Sequence, residues 1–240
     1  MKQRLYLFSG LVMIILAACS PANKLTKAEQ KEGWQLLFDG KTTNNWRGAY
    51  QTEFPKHGWI VEDGTLKGQL SKGTESGDAG DIVSLKKYKN FELVFDWKLG
   101  KGGNSGVKYF IEERQPRTAG SQAGYEYQLI DDANYIYNGK RLPENIKTAS
   151  LYEIIAAEKS DTKMDAWHSS KIVVNNNNIQ HWLDGKKVVD VERTSDRFQK
   201  GFSQSKFKNY SGFTTITEGH ILLQDHGHNV AFKNIKIKEL

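Results

Sequence analysis

Apolar and polar residues alternate along most of the chain from Trp34 onwards, a pattern typical of half-buried β-strands. One predicted strand places four apolar side chains on one face: Phe91, Leu93, Phe95 and Trp97. A second strand repeats the pattern with Val107, Tyr109 and Ile111. Because successive side chains of a strand point to opposite faces, we expect these apolar faces to form part of a buried core.

Turn residues between the apolar runs predict three hairpins. Asp63-Gly64 separates two runs within residues 59–66, and Asp184-Gly185 separates two within residues 182–189. Asparagines at residues 175–178 form the polar tip of the third hairpin, and residues 230–237 predict a closing strand. Only residues 150–159 suggest helix or irregular structure.

Many short strands joined by Gly-rich turns predict an all-β fold, specifically a two-sheet antiparallel sandwich of jelly-roll type. A β-propeller is disfavoured because the sequence has no repeat of about 40 residues. The chain has 240 residues and a single cysteine, so it cannot form an intrachain disulfide. We therefore expect the hydrophobic core to hold the domain together.

The N-terminal segment departs from this alternation and predicts a targeting signal. Basic residues in 1–4 precede an apolar run at 5–18 that ends in Leu-Ala-Ala before Cys19. This pattern is typical of a bacterial lipoprotein signal; an ordinary secretory signal is the alternative. We expect a signal peptide at 1–18, lipidated Cys19 with a flexible tether at 19–32, and a single β-sandwich domain at 33–240. The protein would then be exported, membrane-anchored and periplasm-facing.

The formal net charge is +6, but acidic and basic residues are interleaved. No run of five like charges occurs, so the composition indicates a solvated surface and does not predict a nucleic-acid partner. The expected membrane contact is through the lipid anchor.

Candidate site residues lie on two predicted strands. Glu126 and Gln128 share one face of a strand whose other face carries tyrosines, which suits a polar site on a sheet; a solvent-facing stripe is the alternative. In residues 221–229, Gln224 and His226 share a face. His226 could bind a metal with Asp225, His228 and further ligands, although two histidines near a turn are more often only polar turn residues.

Two common catalytic patterns are missing from the sequence. The Gly-rich residues 100–106 join two predicted strands and do not open a helix, which argues against a phosphate-binding loop. Residues 91–97 also lack the paired carboxylates of a standard sandwich-fold glycosidase.

Four segments taken together resemble the 3-keto-disaccharide hydrolase family, also described as 3-keto-glucoside-1,2-lyase or 3-keto-2-hydroxy-glucal hydratase. They are residues 103–109, 124–131, 181–185, and 223–227 followed by 232–237. Residues 33–40 and Trp46 match the family's start, so the resemblance covers residues 33–240. Residues 133–149 carry few family landmarks. The resemblance implies a concanavalin A-like (laminin-G-like) sandwich and a catalytic domain.

The resemblance also implies the chemistry. A keto group at C3 acidifies the C2 proton, a base removes it, the C1 oxygen leaves by β-elimination, and hydration completes a net hydrolysis. The implied catalytic residues are Glu126, His226 and His181; the implied sugar contacts are Asn104, Gln128, Asp131 and Gln224, with Trp46 or Tyr125 stacking on the ring.

No organic cofactor is implied; a divalent metal ion held by Glu126 and His226 could stabilise the enediolate. The substrate would have to come from a separate sugar 3-oxidoreductase. The alternatives are a non-catalytic, lectin-like glycan-binding lipoprotein and a structural lipoprotein without a ligand.

Overall fold

The computed structural model describes residues 22–71, 80–117, 123–159 and 161–240. The predicted signal at 1–18 and Cys19 lie outside these ranges. Among the described residues, no helix is both long and apolar enough to cross a bilayer. The two α-helices of these ranges are α1 (Lys27–Lys31) and α2 (Asp196–Gln204), and short 3-10 turns occur at Glu144–Ile146, Lys206–Asn209 and Phe213–Thr215.

Strands make up most of the described chain. They are β1 (Gln35–Leu36), β2 (Trp46–Gly48), β3 (Trp59–Glu62), β4 (Thr65–Gly68), β5 (Ile82–Tyr88), β6 (Phe91–Leu99), β7 (Asn104–Ile111), β8 (Tyr125–Ile130), β9 (His168–Asn175), β10 (Asn178–Leu183), β11 (Lys186–Glu192), β12 (Gly219–Leu223) and β13 (Val230–Glu239).

The strands form two antiparallel sheets. One has eight strands in the order β11-β10-β9-β6-β13-β4-β3, with β1 also paired to β13; the other has five in the order β2-β5-β12-β7-β8. The predicted hairpins at Asp63-Gly64, at residues 175–178 and at Asp184-Gly185 are the β3-β4, β9-β10 and β10-β11 connections. The all-β, two-sheet prediction is confirmed.

The main core lies between the sheets and is lined by alternate residues of each strand. On β6 the predicted apolar face is confirmed, because its odd-numbered residues are buried while the even-numbered ones are more exposed. Facing residues of β7, β8 and β12 complete the same cluster, which includes Tyr109, Tyr127 and Leu223. The opposite face of the five-stranded sheet, called the outer face below, points away from this core.

One predicted face assignment is wrong. Ile111 does not share the core face with Val107 and Tyr109 but belongs to a separate apolar cluster with Leu222. The cause is an extra residue in β7 around Phe110, which adopts a positive φ of 60° and packs into the main core. Such a bulge moves every later side chain of the strand to the other face.

The predicted tether also needs correction from Asn23 onwards. Asn23 and Asn234 exchange two hydrogen bonds, from Asn23 N to Asn234 Oδ1 at 2.6 Å and from Asn234 N to Asn23 Oδ1 at 2.8 Å. Helix α1 follows, with a capping box between Thr26 and Glu29. Glu29 also pairs with Lys236 of β13. Residues 23–32 are therefore docked on the eight-stranded sheet.

Helix α2 was not predicted from the sequence. It begins at an N-cap, Ser195, whose side chain accepts a hydrogen bond from Phe198 N, and Phe198 is buried in the core. Residues 150–159, for which helix or irregular structure was expected, are irregular. Their first part runs beside β8, where Leu151 bridges to Tyr127 and Tyr152 N donates to Glu126 O at 3.1 Å.

Candidate active site

Strand pairing sets the candidate site residues in two neighbouring rows on the outer face of the five-stranded sheet. In the first row Glu126 of β8 lies opposite Lys108 of β7, and Lys108 lies opposite Leu222 of β12. In the second row Gln128 lies opposite Gly106, and Gln224 N donates to Gly106 O at 2.9 Å. Glutamate, lysine and two glutamines from three strands are thus brought together.

Gly106 forms a hollow at the centre of these residues. A Cβ atom at this position would lie 2.4 Å from Glu126 Oε1 and 3.2 Å from Gln224 Oε1. The two side-chain oxygens therefore converge over bare backbone, which only glycine permits here. Glu126 is 7% exposed, so its carboxyl group is largely withdrawn from water.

Opposite charges act on Glu126 and Lys108. Lys108 Nζ lies 4.0 Å from Glu126 Oε2. Burial raises the pKa of the Glu126 carboxyl, and the Lys108 ammonium offsets this only in part. Burial opposes the charge on Lys108, but the carboxylates of Glu126 and Asp81 outweigh it and raise the pKa of Lys108. Lys108 therefore stays cationic beside a carboxyl group that titrates above its usual range.

Amide groups around the hollow have capacity for further hydrogen bonds. Within the described part of the chain, Gln128 Oε1 and Gln224 Oε1 are buried without a hydrogen-bond partner. Gln128 Nε2 donates to Asn104 Oδ1 at 3.4 Å. Buried acceptors are normally paired, so two unpaired amide oxygens on residues beside Gly106 suit donors such as sugar hydroxyls.

Residues 149–152, called the covering segment, run along the free edge of β8. Gln128 N donates to Ser150 O at 3.2 Å, and Ala149 N donates to Gln128 O at 2.8 Å. Tyr152 follows, with Lys206 Nζ 4.6 Å from the centre of its ring. Burial raises the pKa of Tyr152, and the Glu126 carboxylate adds to the effect. Tyr152 and Lys206 thus lie on the Glu126 side of the site.

His226 lies beyond the end of β12 and is half-buried. Its ring centre is 6.2 Å from that of His228, which in turn is 6.2 Å from that of Tyr135. Tyr135 OH accepts a 3.5 Å hydrogen bond from Asn104 Nδ2, which links this group to the site. Over the described ranges no three His, Cys, Asp or Glu side chains are arranged to hold a metal ion. A metal held by Glu126 and His226 would therefore need ligands other than a third such side chain of these ranges.

The structure contradicts a direct catalytic role for His181. This residue is completely buried in the core between the sheets, on the other side of the five-stranded sheet from Glu126. Its Nε2 lies 3.0 Å from Tyr109 OH, and its Nδ1 lies 2.9 Å from Ala149 O. Burial lowers the pKa of His181 to about 4, so the ring is neutral at pH 7. His181 is a satisfied core residue.

The two predicted stacking residues are also in the core. Trp46 is 3% exposed and donates from Nε1 to Leu37 O at 2.7 Å. Tyr125 packs edge-on against Phe213 at a ring distance of 4.9 Å. Both side chains point away from the outer face, so neither can stack on a sugar ring there.

Asp131 orders the backbone and does not face a substrate. Its carboxylate accepts hydrogen bonds from Gly102 N at 2.7 Å, Ala133 N at 3.1 Å and Asn134 N at 3.1 Å. Burial alone would raise its pKa, but these hydrogen bonds lower it overall. Asp131 fixes the loop that leads into β7, which carries Asn104 and Gly106.

Sequence reasoning missed three residues of the site: Asp81, Gly106 and Lys108. The parity of β7 was available as a signal, since residues 104, 106 and 108 must share a face. What the parity could not show is that Lys108 pairs with Glu126, because that depends on strand register. Asp81 is brought near by β5, which is distant in sequence from β7 and β8.

Solved structures share this architecture. A candidate glycosyl hydrolase from Parabacteroides distasonis has a TM-score of 0.81 and 33% identity, covering 92% of this chain and 100% of that chain. A second one from the same organism has a TM-score of 0.65 and 25% identity, covering 86% and 99%. A carbohydrate-binding module from Bacillus subtilis, with a TM-score of 0.50, 15% identity and coverage of 81% and 96%, shows the fold alone.

Sequence comparison gives the family. A 3-keto-disaccharide hydrolase of Bacteroides thetaiotaomicron is 34% identical over 232 residues, covering 87% of this chain and 79% of the relative. The family profile for the 3-keto-alpha-glucoside-1,2-lyase-like domain matches residues 33–238. The resemblance found in the sequence and the expectation of a hydrolytic enzyme are confirmed. This chain belongs to the 3-keto-α-glucoside-1,2-lyase-like family.

Proposed function

We propose that this protein cleaves 3-keto-glycosides, including 3-keto-disaccharides, by elimination and hydration that together amount to hydrolysis. The observation that carries the proposal is the buried Glu126 carboxyl group over Gly106, with the Lys108 ammonium 4.0 Å away. Family membership and the name of the 34% identical relative support the same substrate class.

The chemistry requires a base near C2 and a positive charge near the developing enediolate. Glu126 is the proposed base, because burial raises its pKa above the ordinary value and makes it a stronger proton acceptor than an exposed carboxylate. Lys108 is the proposed stabiliser of the enediolate. Its ammonium stays charged, and its low-dielectric surroundings strengthen its attraction for an anion.

Three amide side chains are the proposed contacts to sugar hydroxyls: Asn104, Gln128 and Gln224. The unpaired Gln128 Oε1 and Gln224 Oε1 would accept hydrogen bonds from hydroxyl groups and so orient the ring against the Glu126 carboxylate. His226 remains a proposed acid or base at the edge of the site, linked to Asn104 through His228 and Tyr135.

The substrate must carry a ketone at C3, and nothing in this reaction creates one. We therefore infer that a separate sugar 3-oxidoreductase supplies the substrate.

The sequence before the domain supports a further proposal, that the protein is an exported lipoprotein anchored through Cys19 and facing the periplasm. Labelling of growing cells with a radioactive fatty acid tests it: the wild type should incorporate the label and Cys19→Ser should not, and a wild type without label, or a labelled Cys19→Ser variant, contradicts it.

The proposed function is tested with purified protein and a 3-keto-glucoside, following release of the alcohol and of the 3-keto sugar or its glucal. We expect turnover by the wild type and a loss of at least about 10²-fold in Glu126→Gln, which keeps the shape but cannot accept the C2 proton. A folded Glu126→Gln protein with wild-type turnover would refute the role of Glu126. Binding of unmodified glycan without turnover of the 3-keto form would favour the glycan-binding alternative.

A further inference from the structure

We propose that Asp81 is a second catalytic carboxyl group, which donates a proton to the leaving oxygen at C1 while Glu126 removes the proton at C2. The proposal rests on the proposed function and assigns the acid that the reaction needs. Elimination of a sugar or alkyl alcohol leaves a strongly basic alkoxide unless a proton is supplied as the C1–O bond breaks.

The fold places Asp81 on the same face as Glu126. Asp81 directly precedes β5, and Val83, two residues further on, belongs to the outer-face cluster with Leu222. Residues two apart on an extended chain point to the same side. Asp81 Oδ1 accepts a hydrogen bond from Asp225 N at 2.9 Å, next to Gln224 at the end of β12. The carboxyl group therefore lies on the β12 side of the hollow, while Glu126 lies on its β8 side.

Lys108 stands between the two carboxyl groups. The carboxylates of Glu126 and Asp81 both act on the Lys108 ammonium, and they repel each other. Asp81 also faces Arg117 and the carboxylate of Asp225. Because the two carboxyl groups act on the same ammonium and repel each other, protonation of one favours ionisation of the other.

Burial is the larger influence on Asp81 and raises its pKa, while Lys108 lowers it. A protonated carboxyl group opposite a carboxylate base is the arrangement that elimination across C1 and C2 requires.

Proton and electron transfers balance over the full cycle. The Glu126 carboxylate takes the C2 proton, and the C–H electron pair passes to the C3 carbonyl to give the enediolate. Its collapse forms the C1–C2 double bond and breaks the C1–O bond, and Asp81 gives its proton to the departing oxygen, so that an alcohol leaves and an enone remains. In hydration, Asp81 takes a proton from the water whose oxygen bonds to C1, and Glu126 returns its proton to C2.

Leaving groups of different basicity test this role. The full-length wild type, Asp81→Asn and His226→Gln are compared on 4-nitrophenyl 3-keto-glucoside, whose leaving group needs no proton, and on methyl 3-keto-glucoside, whose leaving group does. We expect Asp81→Asn to lose about 10²-fold or more on the methyl substrate but less than about tenfold on the nitrophenyl substrate. Asp81→Asn keeps an oxygen that can accept from Asp225 N, so the loop contact is preserved.

A purely structural role for Asp81 predicts equal losses on both substrates, and that result would overturn the proposal. Wild-type activity of Asp81→Asn on the methyl substrate would do the same, as would a selective loss in His226→Gln alone. Asp81→Glu keeps a carboxyl group and is expected to recover part of the rate on the methyl substrate. If a folded Asp81→Glu protein with an unchanged melting temperature shows no recovery, Asp81 does not act as the acid. If the wild type turns over neither substrate, the proposed function itself is wrong.

Discussion

Replacing Gly106 with alanine should separate activity from stability. The new Cβ would lie 2.4 Å from Glu126 Oε1 and 3.1 Å from Glu126 Cδ, whereas ordinary contact begins at 3.4 Å. The carboxylate is the end of a flexible side chain, so it can retreat by about 1 Å. A displacement of that size in a reacting group costs about 10²-fold in rate. We therefore expect kcat to fall by about two orders of magnitude.

The stability of Gly106→Ala should change little. Gly106 does not adopt a left-handed conformation, so alanine brings no backbone strain. Alanine also restricts the unfolded chain, which stabilises the fold by about 0.4–1 kcal/mol and offsets part of the cost of moving Glu126. The expected melting temperature is within a few degrees of the wild type.

The assay is release of 4-nitrophenol from the 3-keto-glucoside, alongside thermal unfolding. Gly100→Ala is the matched control, because a Cβ there would meet its nearest neighbours, Asn229 Cβ and Asn229 O, at 3.7 Å. It should retain near-wild-type activity. Gly106→Ala activity within threefold of the control would refute the placement of Glu126 over Gly106 as the catalytic arrangement.

Three further predictions test the charges and the buried histidine. Lys108→Met should lower kcat by about 10²–10³-fold. Because Lys108 lowers the pKa of Glu126, the acidic side of the pH–activity profile should also shift to higher pH in this variant. A profile whose acidic side does not shift would contradict the pairing of Lys108 with Glu126. EDTA treatment should leave activity unchanged, because Lys108 supplies the positive charge; a loss restored by a divalent cation would assign that charge to a metal. The buried His181 should reduce stability as pH falls from about 6.5 to about 4, by up to about 3 kcal/mol, because the unfolded state binds its proton more readily. Denaturant titrations of the wild type and His181→Asn check this: the variant should be less stable at pH 7 but lose less on acidification, and equal losses would refute it.

Local signals in the sequence were sufficient for most of the fold. Alternation identified the core face of β6, and Asp-Gly turns located the β3-β4 and β10-β11 hairpins, because both depend on neighbouring residues only. The bulge at Phe110 had no such signal, and the assignment of Ile111 failed with it. Helix α2 did carry local signals, namely the Ser195 N-cap and two aromatic residues four positions apart, Phe198 and Phe202, and these were overlooked.

The candidate site was predictable only in part, for the same reason. Parity on β8 gave Glu126 and Gln128 a common face, and the alternation that continues one residue past β12 added Gln224. Alternation along a strand divides its side chains between two faces but does not show which face packs against the other sheet. The sequence pattern around a histidine is therefore the same whether its side chain lies in the core or on the outer face. His181 belongs to the face that packs into the core, where Tyr109 and Ala149 satisfy both ring nitrogens.

Burial of Glu126 is what turns a polar strand face into a candidate active site, and it has two sources. One is the covering segment, whose backbone pairs with β8 through Ala149, Ser150 and Tyr152. The other is Gly106, whose missing side chain lets the Glu126 carboxylate pack against the sheet backbone instead of extending into solvent. With either one removed, we expect the Glu126 carboxyl group to be more exposed to water and its pKa to lie closer to the ordinary value. Because neither feature belongs to the Glu126 strand itself, the chemistry of this residue is a property of the assembled fold.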